Sequence, residues 1–400
     1  MKKYDPVVIA ITGSVGKTST KEAVSLVLSD AFGEKEVRKN YGNLNAEIGI
    51  PLTILGYRSL PNKFLWPFFL VSAFFRTRVT SYPKYLVIEM GVEHPGDIKY
   101  FASIVRPDFA VITSAEPAHL ANFSGHEAFQ KEKASLARMT KENGKVILNY
   151  DDKYLSELDG ENIISYAIDN SRAKYTGDSI KITTEGTEFR INCVGHKIAI
   201  KSRLLGRQLI YGQLAAFAIA GEMDISLLST GKSLEKLLPV PGRMNIVEGK
   251  DEVTIIDDTY NSNPSSAKAA LSALSEVRYD GRKVAILGNM NELGRLEKDA
   301  HQELGKYAKD KCDLAVFVGK NAKTMAEGYS DKKTSLVFAN KLDLIQNLPS
   351  IIMKNDLVLI KASQNGNYFE EITKILMKHP GEAEKLLVRQ GWEWRKKKNK

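Results

Sequence analysis

The chain has 400 residues, of which 43% are hydrophobic and 26% charged, and its formal net charge is +9. This length exceeds what one hydrophobic core usually organises, so we expect a soluble protein of at least two domains. Much of the excess charge lies in the last six positions, and no interleaved pattern of aromatic and basic residues accompanies it. These features argue against a nucleic-acid partner. They leave a solvated basic tail or one that contacts an anionic membrane surface.

Two short features bear on the compartment. Residues 1–6 lead directly into an apolar run at 7–11 that is typical of a buried strand, so we predict no signal peptide and a cytoplasmic protein. Cys193 and Cys312 are the only cysteines, and neither belongs to a CxxC pair. We therefore expect thiols in a reducing compartment and no zinc or redox site.

Strand-like runs alternate with helical patterns in the first half of the chain, at residues 7–12, 85–89, 110–113 and 146–149. That alternation predicts an α/β domain with a mostly parallel sheet and helices on both faces, and the glycine loop described below makes it a P-loop domain. Between residues 179 and 203 the apolar residues recur at every second position, with short turns between the runs. This change of period predicts a small antiparallel segment.

A linker is predicted at residues 238–242, where the sequence LPVPG places two prolines and a glycine together. Strand-like runs then return at residues 253–256, 284–287, 314–318 and 357–360. They predict a second, Rossmann-like α/β domain. We therefore divide the chain into a first domain at 1–240, a second domain at 241–380 and a basic tail at 381–400.

An insertion at about 58–84 interrupts the alternation. Its centre, residues 64–75, is almost wholly apolar and is flanked by arginine and lysine residues. It is too short to span a bilayer, which needs about 20 residues. It is therefore either a buried helix or cap over a ligand cleft, or a peripheral membrane contact, which aromatic and basic residues together favour.

Residues 12–19, of sequence TGSVGKTS, follow the first strand and precede a helical pattern, which is the context of a phosphate-binding loop. Glycines let backbone N–H groups turn toward an anion, and the helix N-terminus adds its positive end. We expect Lys17 to contact the β and γ phosphates and the Thr18 hydroxyl to bind Mg2+. The predicted nucleotide-binding residues of the loop are Gly13, Ser14, Val15, Gly16, Lys17, Thr18 and Ser19.

Two residues separate the glycines of this loop, and this short form resembles the loop of the Mur ligases and the folylpolyglutamate synthases. Residues 43–53, 89–98 and 257–264 further resemble the Mur ligase branch that adds D-alanyl-D-alanine to a muramoyl tripeptide. The resemblance runs from residue 7 to about 375. It implies an ATP-dependent ligase of peptidoglycan precursor synthesis. Such an enzyme activates a carboxylate as an acyl phosphate and captures it with an amine.

The resemblance also implies a metal site. Glu89 would coordinate Mg2+, and His119 would serve a second metal ion. Lys133 matches the lysine that many Mur ligases carry as a carbamate, which turns a cation that repels Mg2+ into an anion that binds it. A structural histidine and a surface lysine are the alternatives. The implied metal ligands are Thr18, Glu89, His119 and Lys133, and the implied catalytic residues are Lys17, Lys133 and His119.

In the second domain, Arg243 resembles the linker arginine that reaches ATP when the domains close. Asp257 resembles the acidic residue that holds the ribose, and Tyr260 and Asn261 would lie beside it. These roles follow from the resemblance and complete the expected set for ATP and two magnesium ions. The candidate substrate contacts are Asn43, Asn45, His301 and Lys361, of which the last two have structural roles as equal alternatives.

The chain departs from the family pattern in two respects. Members usually begin with a further domain that binds the UDP end of the acceptor, whereas this chain starts almost at the phosphate loop. Uridine recognition therefore stays open, and a partner is one candidate to supply that domain. Gln208, Leu209, Gly212 and Asn289 stand where the family has other residues, which leaves the adenine contacts and the amine open.

Three other functions remain as alternatives to this ligase. They are a nucleotide-binding scaffold without catalysis, a P-loop switch or kinase, and a folylpolyglutamate-synthase-like ligase that acts on another carboxylate. For the ligase we expect a small-molecule carboxylate and an amine as substrates.

Overall fold

The computed structural model describes residues 3–42, 44–59, 71–73, 81–116, 122–193, 195–330, 335–364 and 366–398. The chain divides into two compact units. The first comprises Met1–Ser179, Phe189–Ile200 and Leu209–Leu237, and the second Ile180–Glu188, Lys201–Gln208 and Leu238–Lys400. A nine-stranded sheet forms most of the first unit, and a six-stranded sheet forms the centre of the second.

The nine-stranded sheet has the strand order β2-β3-β1-β4-β5-β6-β7-β8-β9. Neighbouring strands from β2 to β7 are parallel. Two-residue connections join β7 to β8 and β8 to β9, and only antiparallel strands can be joined so tightly. The strands are β1 Val7–Thr12, β2 Val37–Lys39, β3 Tyr85–Glu89, β4 Phe109–Ile112, β5 Lys145–Asn149, β6 Ile163–Ala167, β7 Tyr175–Thr183, β8 Gly186–Cys193 and β9 His196–Ser202.

The position of β1 decides where a ligand can bind. It lies between β3 and β4, so the strand order reverses there: β2 and β3 lie on one side of β1, and β4 to β9 lie on the other. In open α/β sheets ligands bind at the carboxyl ends of the strands, at such a switch point. Residues 8–12 of β1 are all buried, as expected for a parallel strand covered on both faces. The loop after Thr12 is therefore in the position that a ligand site requires.

The helices of this part of the chain are α1 Lys17–Phe32, α2 Gly49–Ile54, α3 Asp97–Ile104, α4 His126–Arg138, α5 Arg207–Glu222 and α6 Leu227–Glu235. Helix α1 buries Ala23, Val24, Val27 and Leu28, at the helical spacing that one face requires. The core beneath the sheet includes Val8, Leu86, Ile88, Ala110 and Val146, all contributed by parallel strands.

The six-stranded sheet has the order β10-β11-β15-β12-β13-β14, and all neighbours are parallel except the antiparallel pair β10 and β11. Its strands are β10 Asn245–Glu248, β11 Thr254–Asp258, β12 Lys283–Leu287, β13 Leu314–Val318, β14 Ser335–Phe338 and β15 Leu357–Lys361. The helices that follow are α7 Pro264–Glu276, α8 Glu297–Ala308, α9 Ala322–Tyr329, α10 Lys341–Ile351, α11 Glu370–Leu376, α12 Ala383–Leu386 and α13 Trp392–Lys398.

The start of α7 shows how local sequence sets an element. Asn263 is the N-cap, and its side chain accepts from the Ser266 main-chain N–H at 2.8 Å. Ser266 accepts in return from the Asn263 N–H, which completes a capping box. Pro264 takes the first helical position, where its missing N–H costs nothing.

The C-terminal segment is only partly solvated, because Lys396 and Lys397 are exposed whereas the Lys398 side chain is not. The segment forms α12 and α13, and the Lys398 side chain is only 9% exposed. Lys398 Nζ lies 2.8 Å from Glu370 Oε1 and also forms an ion pair with Glu371. Two carboxylates at the start of α11 therefore hold the end of α13. High positive charge in the sequence did not reveal these partners.

The apolar insertion lies largely outside the described residues, which include only 71–73 of its centre. The two predictions for residues 64–75, a cap or a membrane contact, therefore stay predictions. No helix within the described part of the chain is long and apolar enough to cross a bilayer.

Candidate active site

The phosphate-binding loop lies between β1 and α1. Gly16 has φ 88° at the N-cap of α1, a left-handed conformation that glycine adopts without steric penalty. Gly13 is required for space, because a Cβ there would lie 2.0 Å from Thr113 Oγ1. The Thr113 hydroxyl donates to the Val15 carbonyl oxygen at 2.6 Å. The residue after β4 therefore fixes the shape of the loop, a role that sequence reasoning missed.

Lys17 folds back over the loop that precedes it. Its Nζ donates to the Gly13 carbonyl oxygen at 2.6 Å and lies 3.3 Å from the Ser14 carbonyl oxygen. Ser14 is itself anchored, because its main-chain N–H donates to Ser114 O at 3.0 Å and its hydroxyl donates to Glu116 O. An ammonium group and the N-terminus of a 16-residue helix thus meet at one loop. Both features bind phosphate.

Glu89 ends β3, beside Ile11 of β1, and its carboxylate reaches the start of α1. Glu89 Oε2 accepts from Thr18 Oγ1 at 3.0 Å, and Oε1 accepts from Asn45 Nδ2 at 3.0 Å. The predicted Mg2+ ligands Thr18 and Glu89 are therefore in contact. Both offer the hard oxygen donors that Mg2+ prefers.

Magnesium at this position would need ligands from outside the protein. Within the described residues, no three His, Cys, Asp or Glu side chains are grouped so that they could hold a metal ion. Mg2+ normally keeps several waters and binds through one or two carboxylates together with substrate phosphates. Thr18 and Glu89 fit that arrangement, because phosphate oxygens at the loop would complete the coordination.

Two residues that sequence reasoning missed hold Glu89 in place. Asn40 pairs twice with the Glu89 main chain, accepting from its N–H and donating to its carbonyl, each at 2.9 Å. Lys21 is buried with its Nζ 3.6 Å from Glu89 Oε2 and 3.3 Å from Glu22 Oε1. It compensates the buried negative charge of Glu89. The sequence feature that could have revealed Lys21 is its spacing, because it follows Lys17 by four residues and therefore lies on the same face of α1.

Lys133, on α4, points into the same loop. Its side chain is 2% exposed, and its Nζ donates to the Gly13 carbonyl oxygen at 3.1 Å. Burial, and then the nearby charge of Lys17, hold the pKa of Lys133 well below its ordinary value. Glu132 opposes this shift to a smaller extent. The alternative of a surface lysine is wrong, because this amine is buried beside the phosphate loop.

Two predicted site residues cannot be placed. His119 and Asn43 lie outside the described residues, so a second metal ligand and this substrate contact stay predictions. Asn45, also expected at the substrate, donates to Glu89 and accepts from the Gly91 N–H at 2.7 Å through its carbonyl. The structure thus places Asn45 as a support for the Glu89 carboxylate.

In the second unit, Arg243 and Tyr260 form one group. The Arg243 guanidinium lies over the Tyr260 ring, with Cζ 4.2 Å from the ring centroid. The Tyr260 N–H donates to the Gly242 carbonyl oxygen at 2.9 Å. A cation over an aromatic face is held by the quadrupole of the ring. Two residues predicted at the nucleotide are therefore neighbours.

Asp257 occupies an interior position, which speaks against direct contact with a ribose. Its Oδ1 accepts from Thr259 Oγ1 at 2.8 Å and from Thr373 Oγ1 at 2.9 Å, and its other oxygen is buried without a hydrogen bond. Burial raises the pKa of Asp257 to about 7. Asp258, the next residue, faces the opposite side of the sheet, because side chains alternate along a strand.

Asp258 and Lys361 form a buried ion pair next to Asn261. Lys361 Nζ contacts Asp258 Oδ2 and donates to the Asn261 carbonyl oxygen at 2.9 Å. The Asn261 side chain accepts from the Ser262 N–H at 2.9 Å. Lys361 therefore fixes the segment that follows β11. This contact gives Lys361 a structural role.

His301 also has a structural role. It is fully buried, Nε2 accepts from the Met290 N–H at 2.9 Å, and Nδ1 donates to the Glu297 carbonyl oxygen at 2.6 Å. An acceptor at Nε2 requires the neutral imidazole. Burial lowers the pKa of His301, which favours the same form. With both ring nitrogens bound to the main chain, the predicted contact with the amine substrate is not supported.

Three of the four positions that depart from the family pattern have structural contacts. Gly212 allows α5 to approach α1 closely, because a Cβ there would lie 3.0 Å from the Thr20 main-chain nitrogen. Leu209 is buried. Asn289 Oδ1 accepts from the Asn321 N–H at 3.1 Å.

Comparison with known proteins shows the family of this chain. Residues 11–220 match the Mur ligase middle domain, and residues 242–364 match the Mur ligase glutamate ligase domain. The chain belongs to the Mur ligase family. Among Mur ligases it is 30% identical over 377 residues to the UDP-N-acetylmuramoyl-tripeptide–D-alanyl-D-alanine ligase of Bacillus subtilis. That alignment covers 93% of this chain and 76% of the relative. The resemblance seen in the sequence is thereby confirmed.

Solved Mur ligases share the fold. A crystal structure of MurF from Acinetobacter baumannii matches with a TM-score of 0.80 and 25% identity, covering 94% of this chain and 78% of that one. MurF ligase from Thermotoga maritima, in complex with ADP, matches with a TM-score of 0.78 and 25% identity, covering 95% and 82%. The predicted α/β architecture, with its parallel sheet and second α/β sheet, is confirmed.

Proposed function

We propose that this Mur ligase is a MurF-like enzyme that uses ATP to join a carboxylate and an amine through an acyl phosphate. The observation that carries the proposal is the meeting of Lys17, Thr18, Glu89 and Lys133 at one glycine loop. A simple nucleotide switch has no need of Glu89 and Lys133, which lie outside the phosphate-binding loop and α1. The relatives supply the reaction class, since they are named as ligases.

In the first step, a carboxylate oxygen of the acceptor attacks the γ phosphorus of ATP, and the bond to the β,γ-bridging oxygen breaks. The products are an acyl phosphate and ADP. Lys17 and the N–H groups at the start of α1 compensate the charge on the transferring phosphoryl group. Thr18 and Glu89 would hold Mg2+, which would supply positive charge at the phosphates.

In the second step, the unprotonated amine attacks the acyl carbon, and the C–O bond to phosphate breaks. The amide forms, inorganic phosphate leaves and the amine loses a proton. The loop and α1 hold the phosphate in place during both steps, so the reacting atoms stay aligned.

Lys133 is proposed to act as a carbamate. An amine must be unprotonated to attack CO2, and the lowered pKa of Lys133 favours that form. The nitrogen bonds to the carbon of CO2 and loses one proton, so a cation becomes an anion. This anion would compensate Lys17 and offer an oxygen ligand at the loop.

For the second unit, we propose nucleotide contacts by Arg243, Tyr260 and Asn261. The boundary near residue 240 stays part of the proposal, since both the linker and the start of the second match lie there. Asp257 is expected to support this region from the interior and not to touch the ribose.

We propose muramoyl-peptide acceptors and D-alanyl-D-alanine as the substrates, by analogy with the relatives, and the cytoplasm as the compartment. The test is ADP release with a panel of carboxylates and amines, starting with UDP-linked and unlinked muramoyl tripeptides and D-amino-acid dipeptides. ADP release that requires both a carboxylate and an amine is expected. Release that ignores the amine would favour a switch or kinase, and ATP binding without turnover on any pair would favour a scaffold.

A further inference from the structure

Arg389 lies between α12 and α13 in a conformation that its side chain disfavours. Its φ is 56°, in the left-handed region that residues with a Cβ rarely occupy. Its side chain is only 7% exposed. Because arginine is seldom buried without a partner, its hydrogen bonds need to be identified. A strained backbone and a buried charge at one residue indicate that the fold holds this guanidinium in one place.

The guanidinium binds one carboxylate and two main-chain carbonyls. Arg389 Nε donates to Glu370 Oε1 at 3.0 Å, and one terminal nitrogen donates to Glu370 Oε2 at 2.8 Å. The same nitrogen donates to the Thr259 carbonyl oxygen at 2.5 Å, and the other donates to the Tyr260 carbonyl oxygen at 3.1 Å. This forked pairing is geometrically specific, and lysine cannot reproduce it.

Glu370 anchors the arrangement. Its carboxylate is fully buried and also pairs with Lys398 at 2.8 Å. Burial raises the pKa of Glu370, but the hydrogen bonds and charge of Arg389, followed by those of Lys398, outweigh it, so the pKa lies below its ordinary value. The C-terminal segment therefore supplies two cations to one buried carboxylate at the start of α11.

The carbonyls that Arg389 binds belong to the segment that carries Tyr260. The Tyr260 N–H donates to Gly242 O, and its ring supports the Arg243 guanidinium at 4.2 Å. Arg389 thus fixes the carbonyl side of Tyr260, whose N–H binds the Gly242 carbonyl oxygen and whose ring lies under the Arg243 guanidinium. A guanidinium at the C-terminus is connected to Arg243 through one tyrosine.

We propose that Arg389 is a positioning residue for the nucleotide site: it holds residues 259–261 so that Tyr260 presents Arg243 to ATP. The proposal rests on the proposed function for the role of Arg243. It does not require Arg389 to touch the nucleotide. In this proposal the C-terminal segment affects ATP binding indirectly, by holding the Tyr260 segment in place.

Arg282 provides a matched control. It forms the same fork with a buried carboxylate, at 3.0 Å and 2.7 Å to the two oxygens of Asp356, and donates to the Ile351 carbonyl oxygen at 2.7 Å. It is 28% exposed, and its carboxylate precedes β15, at the other end of the strands from Tyr260. Loss of Arg282 therefore removes a similar fork without touching the Tyr260 segment.

Hydrogen exchange on the nucleotide-free full-length protein tests the positioning directly. In Arg389→Met, the amides of residues 259–262 are expected to exchange at least about tenfold faster, because the Tyr260 segment opens locally. In Arg282→Met, faster exchange is expected at 353–357 and not at 259–262. Equal effects of both variants on both segments, or no change at 259–262 in Arg389→Met, would overturn the proposal.

Kinetics extend the test to the nucleotide. Arg389→Met is expected to raise KM for ATP about tenfold with a much smaller change in kcat, whereas Arg282→Met leaves both within about twofold. If Arg389→Met does not fold, Arg389→Lys keeps the charge without the fork and should give a smaller shift in the same direction. An equal rise of KM in the Arg389 and Arg282 variants contradicts the proposal. A wild-type chain without ligase activity contradicts the proposed function alone, since the exchange experiment needs no turnover.

Discussion

The two units treat buried charge differently. In the first unit, the Nζ atoms of Lys17 and Lys133 both donate to the Gly13 carbonyl oxygen, so two amines converge on the phosphate-binding loop. In the second unit, the buried cations Lys361 and Arg389 each meet a carboxylate, Asp258 and Glu370. Paired charges hold a scaffold, whereas amines that converge on a glycine loop at a helix N-terminus suit a phosphate ligand. The comparison assigns phosphate chemistry to the first unit and positioning to the second.

The largest effect is expected from Lys17→Met. The substitution removes the ammonium at the loop but keeps the length of the side chain. ADP formation should fall by roughly 10³-fold or more, because the charge that balances the phosphoryl group is lost. Lys131→Met is the control, since Lys131 is exposed and pairs with Glu127 on the surface of α4. Activity near wild type in Lys17→Met would remove the basis for the comparison.

Lys133→Ala tests whether the second lysine acts as a carbamate. Activity should fall at least about 10²-fold, and added acetate or propionate should restore part of it by supplying a carboxylate at the loop. Lys131→Ala, two residues earlier on the same helix, should change neither activity nor the response to acetate. Full activity of Lys133→Ala in plain buffer would dismiss the carbamate.

Glu89→Gln tests whether the Glu89 carboxylate binds Mg2+ or only supports the local structure. The amide keeps the size of the side chain but loses the charge, so the Mg2+ concentration for half-maximal activity should rise about tenfold. Glu22→Gln removes the other carboxylate beside Lys21 without touching the proposed metal ligand, and should leave the Mg2+ requirement unchanged. The same shift in both variants would assign the effect to Lys21 and not to metal binding.

The smallest effect concerns stability in the second unit. Burial raises the pKa of Asp257 to about 7, so the folded protein keeps a proton there that the unfolded chain releases near pH 4. Stability from this group is present below pH 4 and is lost as the pH rises to about 7. Asp257→Asn should therefore raise Tm by a few degrees at pH 8 and by less at pH 5. A drop in Tm at pH 8 would instead make the ionised carboxylate structurally necessary.

The first unit was largely predictable because its motif is local. Strand, glycine loop, Lys17 and Thr18 lie within twelve positions, and β1 and β3 begin and end where the apolar runs do. The family resemblance pointed to Glu89, which ends β3. Lys133 has no local signal at all: it lies 120 residues from Gly13, and only the family resemblance pointed to it.

The second unit was harder for a physical reason. Side chains alternate along a strand, so a shift of one residue separates the interior Asp257 from Asp258, and the sequence does not say which faces a ligand. Histidine is a common residue type in active sites, but both ring nitrogens of His301 bind main-chain groups in the core. Arg389 and Lys398 lie in a stretch whose charge indicates solvent, and their partner Glu370 lies too far away in sequence to be anticipated.

The most direct test of the ligase mechanism is to trace the carboxylate oxygen of the acceptor into inorganic phosphate. An acceptor whose carboxylate carries 18O in both positions is incubated with ATP, Mg2+ and the amine, and the inorganic phosphate is analysed by mass spectrometry. An acyl phosphate requires one 18O to leave with each phosphate while the amide keeps the other. Phosphate without 18O, formed at the same rate as the amide, would contradict phosphoryl transfer to the carboxylate and with it the chemistry assigned to the loop.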